Sequence, residues 1–234
     1  QQNWGRSKIT VPMIEAARKE GIEVTIDQYP YTASSTSIST LIPDEILADG
    51  QDSIKARLEN PATNKYVVKS ILARLKKRKL KHLSYAVVAN YSPDTSYNGK
   101  SIEAINLMKG RKHKARNEAE TVMDLMMNGG ASAVFHGMSE EDVKNIMRYP
   151  FNMFASDASI RVLGAGMPHP RGYGTNARVL SKYVREDKVI SLEEAIRRMT
   201  SLPAQKFQLK DRGLIREGMT ADIVIFNENE VKDI

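Results

Sequence analysis

The stretch ASAVFHGMSEEDVKNIMRYPFNMFASD, residues 131–157, is where the fold can be read. Ala133-Val134-Phe135 is a short apolar run, 138–149 carries its apolar residues at helical spacing, and Asn152-Met153-Phe154-Ala155 is a second apolar run ending in Ser156-Asp157. Just upstream, 118–127 reads as another helix. Helix and strand alternate, which predicts an α/β architecture with parallel strands. Further upstream, Val11, Ile14 and Ala17 mark a helix ending at Gly21. Ile22-Glu23-Val24-Thr25-Ile26 then reads as a strand, broken near Tyr29-Pro30-Tyr31 because Pro30 cannot donate to a ladder. Residues 43–116 read as an excursion from this pattern: two helices, a short strand near Val87, a turn, and a helix holding Ile102 and Ile105. Downstream lie a Gly/Pro-rich loop, helices over 178–184 and 191–200, and a turn followed by a buried strand over 218–226. Ser191 and Glu194 have the spacing of a capping box.

Composition limits the classes. The 234 residues, 41% hydrophobic and 27% charged, suffice for one large or two small domains. The absence of cysteine excludes disulfides, thiolate metal sites and a cysteine nucleophile. No run approaches the roughly 18 apolar residues of a membrane span, and the first residues lack a signal-peptide core, so the expectation is a soluble cytoplasmic protein with no membrane partner. The net charge of +7 is local: 65–81 holds eight Lys and Arg and no acid, and subtracting those eight leaves −1. Val68, Ile71, Leu72 and Leu75 recur there at helical spacing, which predicts an amphipathic helix with a solvated basic face. With Tyr66 its one aromatic, the segment is a poor match to a nucleic-acid surface.

In α/β folds, loops at the C-terminal ends of parallel strands carry the site. Three polar clusters fall at such positions: 27–35, His136 and Ser156-Asp157. Asp157 would be costly to bury without a metal, a cation or hydrogen-bond donors, yet a helix-capping or turn aspartate reads equally well. Tyr29-Pro30-Tyr31 reads first as packing around a rigid turn. His169-Pro170-Arg171 lies among Gly164, Gly166, Gly172 and Gly174; this loop could bring a guanidinium to a substrate carboxylate, or simply expose an arginine. His136 alone reads as a satisfied loop or core histidine, and His82 and His113, within basic surface segments, are not counted as ligands. There is no His-x-His, no His-Glu-x-x-His and no Gly-rich phosphate loop, so the chain lacks a recognisable ligand set for zinc.

Seven motifs occur in the order seen in N-acyl-D-amino-acid deacylases (D-aminoacylases) of the amidohydrolase superfamily, almost end to end. They are Tyr29-Pro30-Tyr31-Thr32-Ala33-Ser34-Ser35-Thr36, Met138-Ser139-Glu140-Glu141-Asp142-Val143, Ser156-Asp157, His169-Pro170-Arg171-Gly172-Tyr173-Gly174-Thr175, Ser191-Leu192-Glu193-Glu194-Ala195-Ile196, Met199-Thr200-Ser201-Leu202-Pro203-Ala204, and Gly218-x-x-Ala221-Asp222-Ile223-Val224. The resemblance implies the C-terminal part of a metal-dependent TIM-type barrel: barrel segments at 1–42 and 117–212, a lid-like insertion at 43–116, and a return strand of a small β-sandwich at 213–234. It further implies that zinc-bound hydroxide attacks the amide of a small-molecule N-acyl-D-amino acid. Asp157 matches the aspartate that ligates metal and moves the proton, Tyr29 and Arg171 match the grip on the substrate carboxylate, and Ser35 matches a further substrate contact.

The family's His-x-His, bridging cysteine, middle-strand histidines and substrate lysine have no counterpart in these residues, and Ala158 stands where the family usually has glycine. The expectation is therefore an incomplete enzyme that needs its N-terminal half or self-association, with zinc belonging to the complete protein and none held by this chain. Two other readings remain: a related cyclic-amide hydrolase of the hydantoinase or dihydroorotase kind, and a noncatalytic module binding through its basic face. Incompleteness predicts that the pure chain releases no D-methionine from N-acetyl-D-methionine, with or without added zinc; robust release in an amino-acid assay would refute it.

Overall fold

The computed structural model describes residues 3–160, 162, 164 and 166–233. These divide into two compact units.

The first unit holds 33–137 with 162–169. Its strands β2 (Ala33–Ser37), β3 (Ala86–Asn90) and β4 (Ser132–His136) form an antiparallel sheet in the order β2-β4-β3. Ser35 faces Val134, and Val88 faces Ala133. Helices α2 (Gln51–Glu59), α3 (Pro61–Arg78), α4 (Ile102–Met108) and α5 (Ala115–Met127) supply most of a core in which Leu58, Val67, Ile71, Ile102, Ile105 and Met123 are buried with Ala86 and Val88. Helix α3 begins where Asn60 accepts from the N–H groups of Ala62 and Thr63 and Pro61 occupies the first turn. It ends at Lys79, whose backbone is left-handed. Lys65, Lys69, Arg74, Lys76 and Lys77 are exposed along it, so the basic run lies on a solvated helix face.

Here the architecture departs from the expected alternation. Residues 133–135, expected as a parallel strand, are the centre of an antiparallel sheet. A short apolar run fits either pairing, and only its neighbours decide which. The expected insertion, 43–116, lies within this unit, which extends beyond it at both ends.

The second unit holds 3–32, 138–160 and 170–233. It contains α1 (Ser7–Lys19), α6 (Glu140–Met147), α7 (Arg171–Arg178), a π-helical continuation Val179–Glu186, α8 (Leu192–Met199) and α9 (Ser201–Lys206). Its strands β1 (Ile26–Gln28) and β5 (Asn152–Phe154) pair in parallel, with Ile26 beside Asn152 and Gln28 beside Phe154. The expected strand over 22–26 thus begins to pair only at Ile26 and runs into Asp27 and Gln28. Asp142 accepts from the Gly5 and Ser7 N–H groups at 2.7 and 3.1 Å, joining the starts of α1 and α6. Ser191 caps α8, but the Glu194 carboxylate turns forward to Arg197 and Arg198, both at 2.8 Å, so half of the expected capping box is replaced by ion pairs.

Residues 218–226, expected as a turn and a buried strand, are exposed apart from the half-buried Met219 and form no strand among the described residues. A strand needs a partner for its N–H and C=O groups, and none of the described strands pairs with this segment. Among the described residues no helix is long and apolar enough to cross a membrane.

The α3 geometry separates two residues that periodicity treats alike. Ile71 is buried and Leu72 is 36% exposed. Ile71→Ala is expected to cost roughly 2–5 kcal/mol and Leu72→Ala well under half of that, measured by urea unfolding.

Candidate active site

The parallel pair is the platform. Tyr29 follows the last residue of β1, and Asp157 lies three residues past the end of β5; the Ala155 N–H donates to the Gln28 carbonyl at 3.1 Å, which carries the pairing one step further toward both. Both side chains therefore leave the C-terminal ends of neighbouring parallel strands, where α/β sites are built. Asp157 turns the chain with φ +46°, a left-handed conformation that aspartate tolerates better than most residues.

Arg171 opens α7 and meets them. Its Nη1 lies 2.9 Å from Asp157 Oδ2, and its guanidinium carbon sits 4.6 Å from the Tyr29 ring centroid. The arginine side chain is only 9% exposed, while that of Asp157 is 68% exposed. A flat cation is thus held against an aromatic face, with a carboxylate on its accessible side.

The same device repeats two helical turns later. Arg178 lies over Tyr31 at 4.8 Å, donates from Nε to the Pro30 carbonyl at 2.9 Å, and pairs through Nη1 with Asp233 at 2.9 Å. Positions i and i+7 share one helix face, so Tyr29-Pro30-Tyr31 offers one ring to each arginine. Burial, reinforced by the nearby Asp233 charge, pushes the Tyr31 phenol up to about 12. Gly174, between the arginines, permits this contact: a Cβ there would stand 2.7 Å from the Tyr31 hydroxyl and 2.8 Å from Asp233 Cβ.

Of the four sequence-predicted site residues, Tyr29 and Asp157 therefore both meet Arg171. Ser35 belongs to the other unit, opposite Val134 in β2, and so does His136, exposed at the end of β4. His169 is buried in that unit too, its Nε2 3.0 Å from the Ala33 carbonyl. Arg178 and Asp233 were not anticipated from sequence; the seven-residue spacing from Arg171 was the available signal for the first, and nothing local marks the second.

Asp157 does not make a metal site with this chain's other residues. The one group of three or more His, Asp or Glu ligand atoms among the described residues lies elsewhere and excludes Asp157. One carboxylate is a single ligand of the three or four that a zinc site needs, so the described residues do not by themselves complete a zinc shell around Asp157.

Residues 103–233, more than half of the chain, match the family described as Amidohydrolase family. The chain belongs to this family. It is 31% identical to the N-acyl-D-glutamate deacylase of Alcaligenes xylosoxydans xylosoxydans over 99% of its own length and 38% of that enzyme's. It is 28% identical to the D-aminoacylase of the same organism, covering 100% of the chain and 38% of the relative. Among solved structures, the N-acyl-D-glutamate deacylase of Bordetella bronchiseptica, complexed with zinc and a phosphonate that mimics the tetrahedral intermediate, superposes with a TM-score of 0.70 at 30% identity, covering 100% of this amidohydrolase chain and 39% of that one. The chain thus spans about two fifths of the length of these relatives, and its mixed α/β fold is of the amidohydrolase type.

The two arginine–aspartate pairs should differ in what they do for stability. Asp233→Ala is expected to cost roughly 1–3 kcal/mol, because Arg178 is left partly buried without its partner. Asp157→Ala should cost no more than about 1 kcal/mol, as for an exposed pair. Urea midpoints of the two variants check the contrast.

Proposed function

We propose that this chain carries the proton-transfer and carboxylate-gripping side of an amidohydrolase that cleaves linear N-acyl-D-amino acids to a carboxylate and a free D-amino acid. The observation that carries the reading is the Asp157–Arg171 contact, with Tyr29 beneath the guanidinium, at the C-terminal ends of two parallel strands. The deacylase names of the relatives support the substrate class. Arg171 would hold the substrate's carboxylate through two parallel N–H donors, and Tyr29 would keep the guanidinium plane fixed. Asp157 would accept a proton from the attacking water and deliver it to the departing nitrogen, so that C–O forms, C–N breaks and the amine leaves protonated. Without substrate the two groups neutralise each other; an arriving carboxylate would take over the guanidinium and release Asp157 for that work.

The finer architecture belongs to the same proposal. The parallel pair would be a sector of a TIM-type barrel, residues 43–116 its lid-like insertion, and 218–226 a strand of a small β-sandwich. Exposed Ile223, Val224 and Ile225 support the last point, since a strand of that composition is expected to be covered. Zinc is proposed for the whole protein, its other ligands coming from outside these 234 residues.

The test is release of D-methionine from N-acetyl-D-methionine by this chain and by any longer natural form containing it, zinc supplied. In the active form, Asp157→Asn should lower kcat by about 10²–10⁴. Arg171→Lys should raise KM about tenfold or more. Turnover of cyclic amides in preference to N-acyl-D-amino acids, or an Asp157→Asn enzyme of near-normal rate, would overturn the proposal.

A further inference from the structure

His82, Glu103, His113 and Glu118 come from four separate segments of the first unit: the loop after α3, the first turn of α4, the loop between α4 and α5, and the first turn of α5. Each directs one ligand atom to a common point, and the four atoms lie within 4.8 Å of one another. His82 Nδ1 is 2.5 Å from Glu118 Oε1 and 3.8 Å from Glu103 Oε1, while His113 Nε2 is 2.5 Å from Glu103 Oε1. The imidazoles stack with centroids 4.1 Å apart at 20°.

We infer that these four side chains form a binding site for a divalent transition-metal ion of the zinc class, distinct in its residues from the candidate active site. The charge argument comes first. Among the described residues, the ion pairs of Glu103 and Glu118 go to the two histidines and to no Lys or Arg, although the surroundings are rich in both. Glu118 is fully buried. One dication placed among the four atoms matches both carboxylates and leaves both rings neutral.

Geometry agrees. With zinc bonds of about 2.0–2.2 Å to nitrogen and oxygen, a tetrahedron has edges of roughly 3.3–3.6 Å. The observed separations bracket those edges, so shifts of about an ångström in the side chains would close the shell. Two imidazoles and two carboxylates suit zinc, cobalt or nickel; magnesium and calcium prefer more ligands, all oxygen.

The supports are in place without the ion. Glu118 is oriented by the Leu83 N–H, which donates to its other oxygen at 2.7 Å. The loop carrying His113 is tied to α4 by the buried Asn106, whose Nδ2 donates to the Lys112 carbonyl at 3.0 Å. His113, 51% exposed, provides the way in, and Glu118 the floor. Bound metal would clamp both loops to α4 and α5, a structural rather than catalytic role.

The test is cobalt(II) titration of the whole metal-stripped chain, followed by the visible d–d band of tetrahedral cobalt and displaced by zinc. One cobalt per chain is expected, and zinc should raise the unfolding temperature. His113→Ala, at an exposed position with little bearing on folding, should weaken cobalt binding at least tenfold and abolish the thermal shift, with circular dichroism confirming the fold. His82→Ala should do the same, and Asp157→Ala should leave both readouts unchanged. No band in the parent chain, or a band that survives His113→Ala, would reduce the cluster to a hydrogen-bonded network; a band lost in Asp157→Ala would move the metal to other ligands. Each of these outcomes overturns the site.

Discussion

Two three-residue strands running side by side are the constraint on which the candidate active site rests. Parallel pairing of β1 with β5 puts both C-terminal ends at one edge, and it does so for segments more than a hundred residues apart in sequence. Antiparallel pairing would send Tyr29 and Asp157 to opposite ends. Because the register places Gln28 beside Phe154, the residues that follow each strand emerge together, and a helix beginning at Arg171 can serve both. A chain with the same residues and a shifted register would keep its motifs and lose their meeting point.

Arginine is used twice on α7, for different ends. At Arg178 the guanidinium has a ring, a carbonyl and a carboxylate, the carbonyl being that of Pro30, two residues past the end of β1. At Arg171 the ring is present but the carboxylate is exposed to solvent. An ion pair whose anion is mostly in water adds little stability.

The first unit has its own demanding group. Glu118 is a carboxylate placed among Ala119, Val122 and Met123, at the level of the core, and its cost is met by the Leu83 N–H, by His82 and, in our reading, by a metal ion. Glu118 follows His113 by five residues, on the other side of a helix start, and His82 has no second ligand within twenty residues. Recognition from spacing alone works when one helix or loop supplies two ligands, and here each ligand arrives on a different segment.

What the sequence determined by itself was local. Periodicity marked α1, α3, α5, α6 and α8 to within a few residues, because an amphipathic helix repeats its apolar side chain every turn and carries its own caps. Ordered motifs identified the family and singled out Tyr29, Asp157 and Arg171. Tertiary structure alone decided the pairings. It placed 132–136 in an antiparallel sheet, left 218–226 without a partner among the described residues, put Ser35 in the other unit, and gathered His82, Glu103, His113 and Glu118. The physical reason is that a strand's hydrogen bonds and a cluster's charge balance are completed by residues far away in the chain, and an apolar run or a lone histidine looks the same whichever partner it finds.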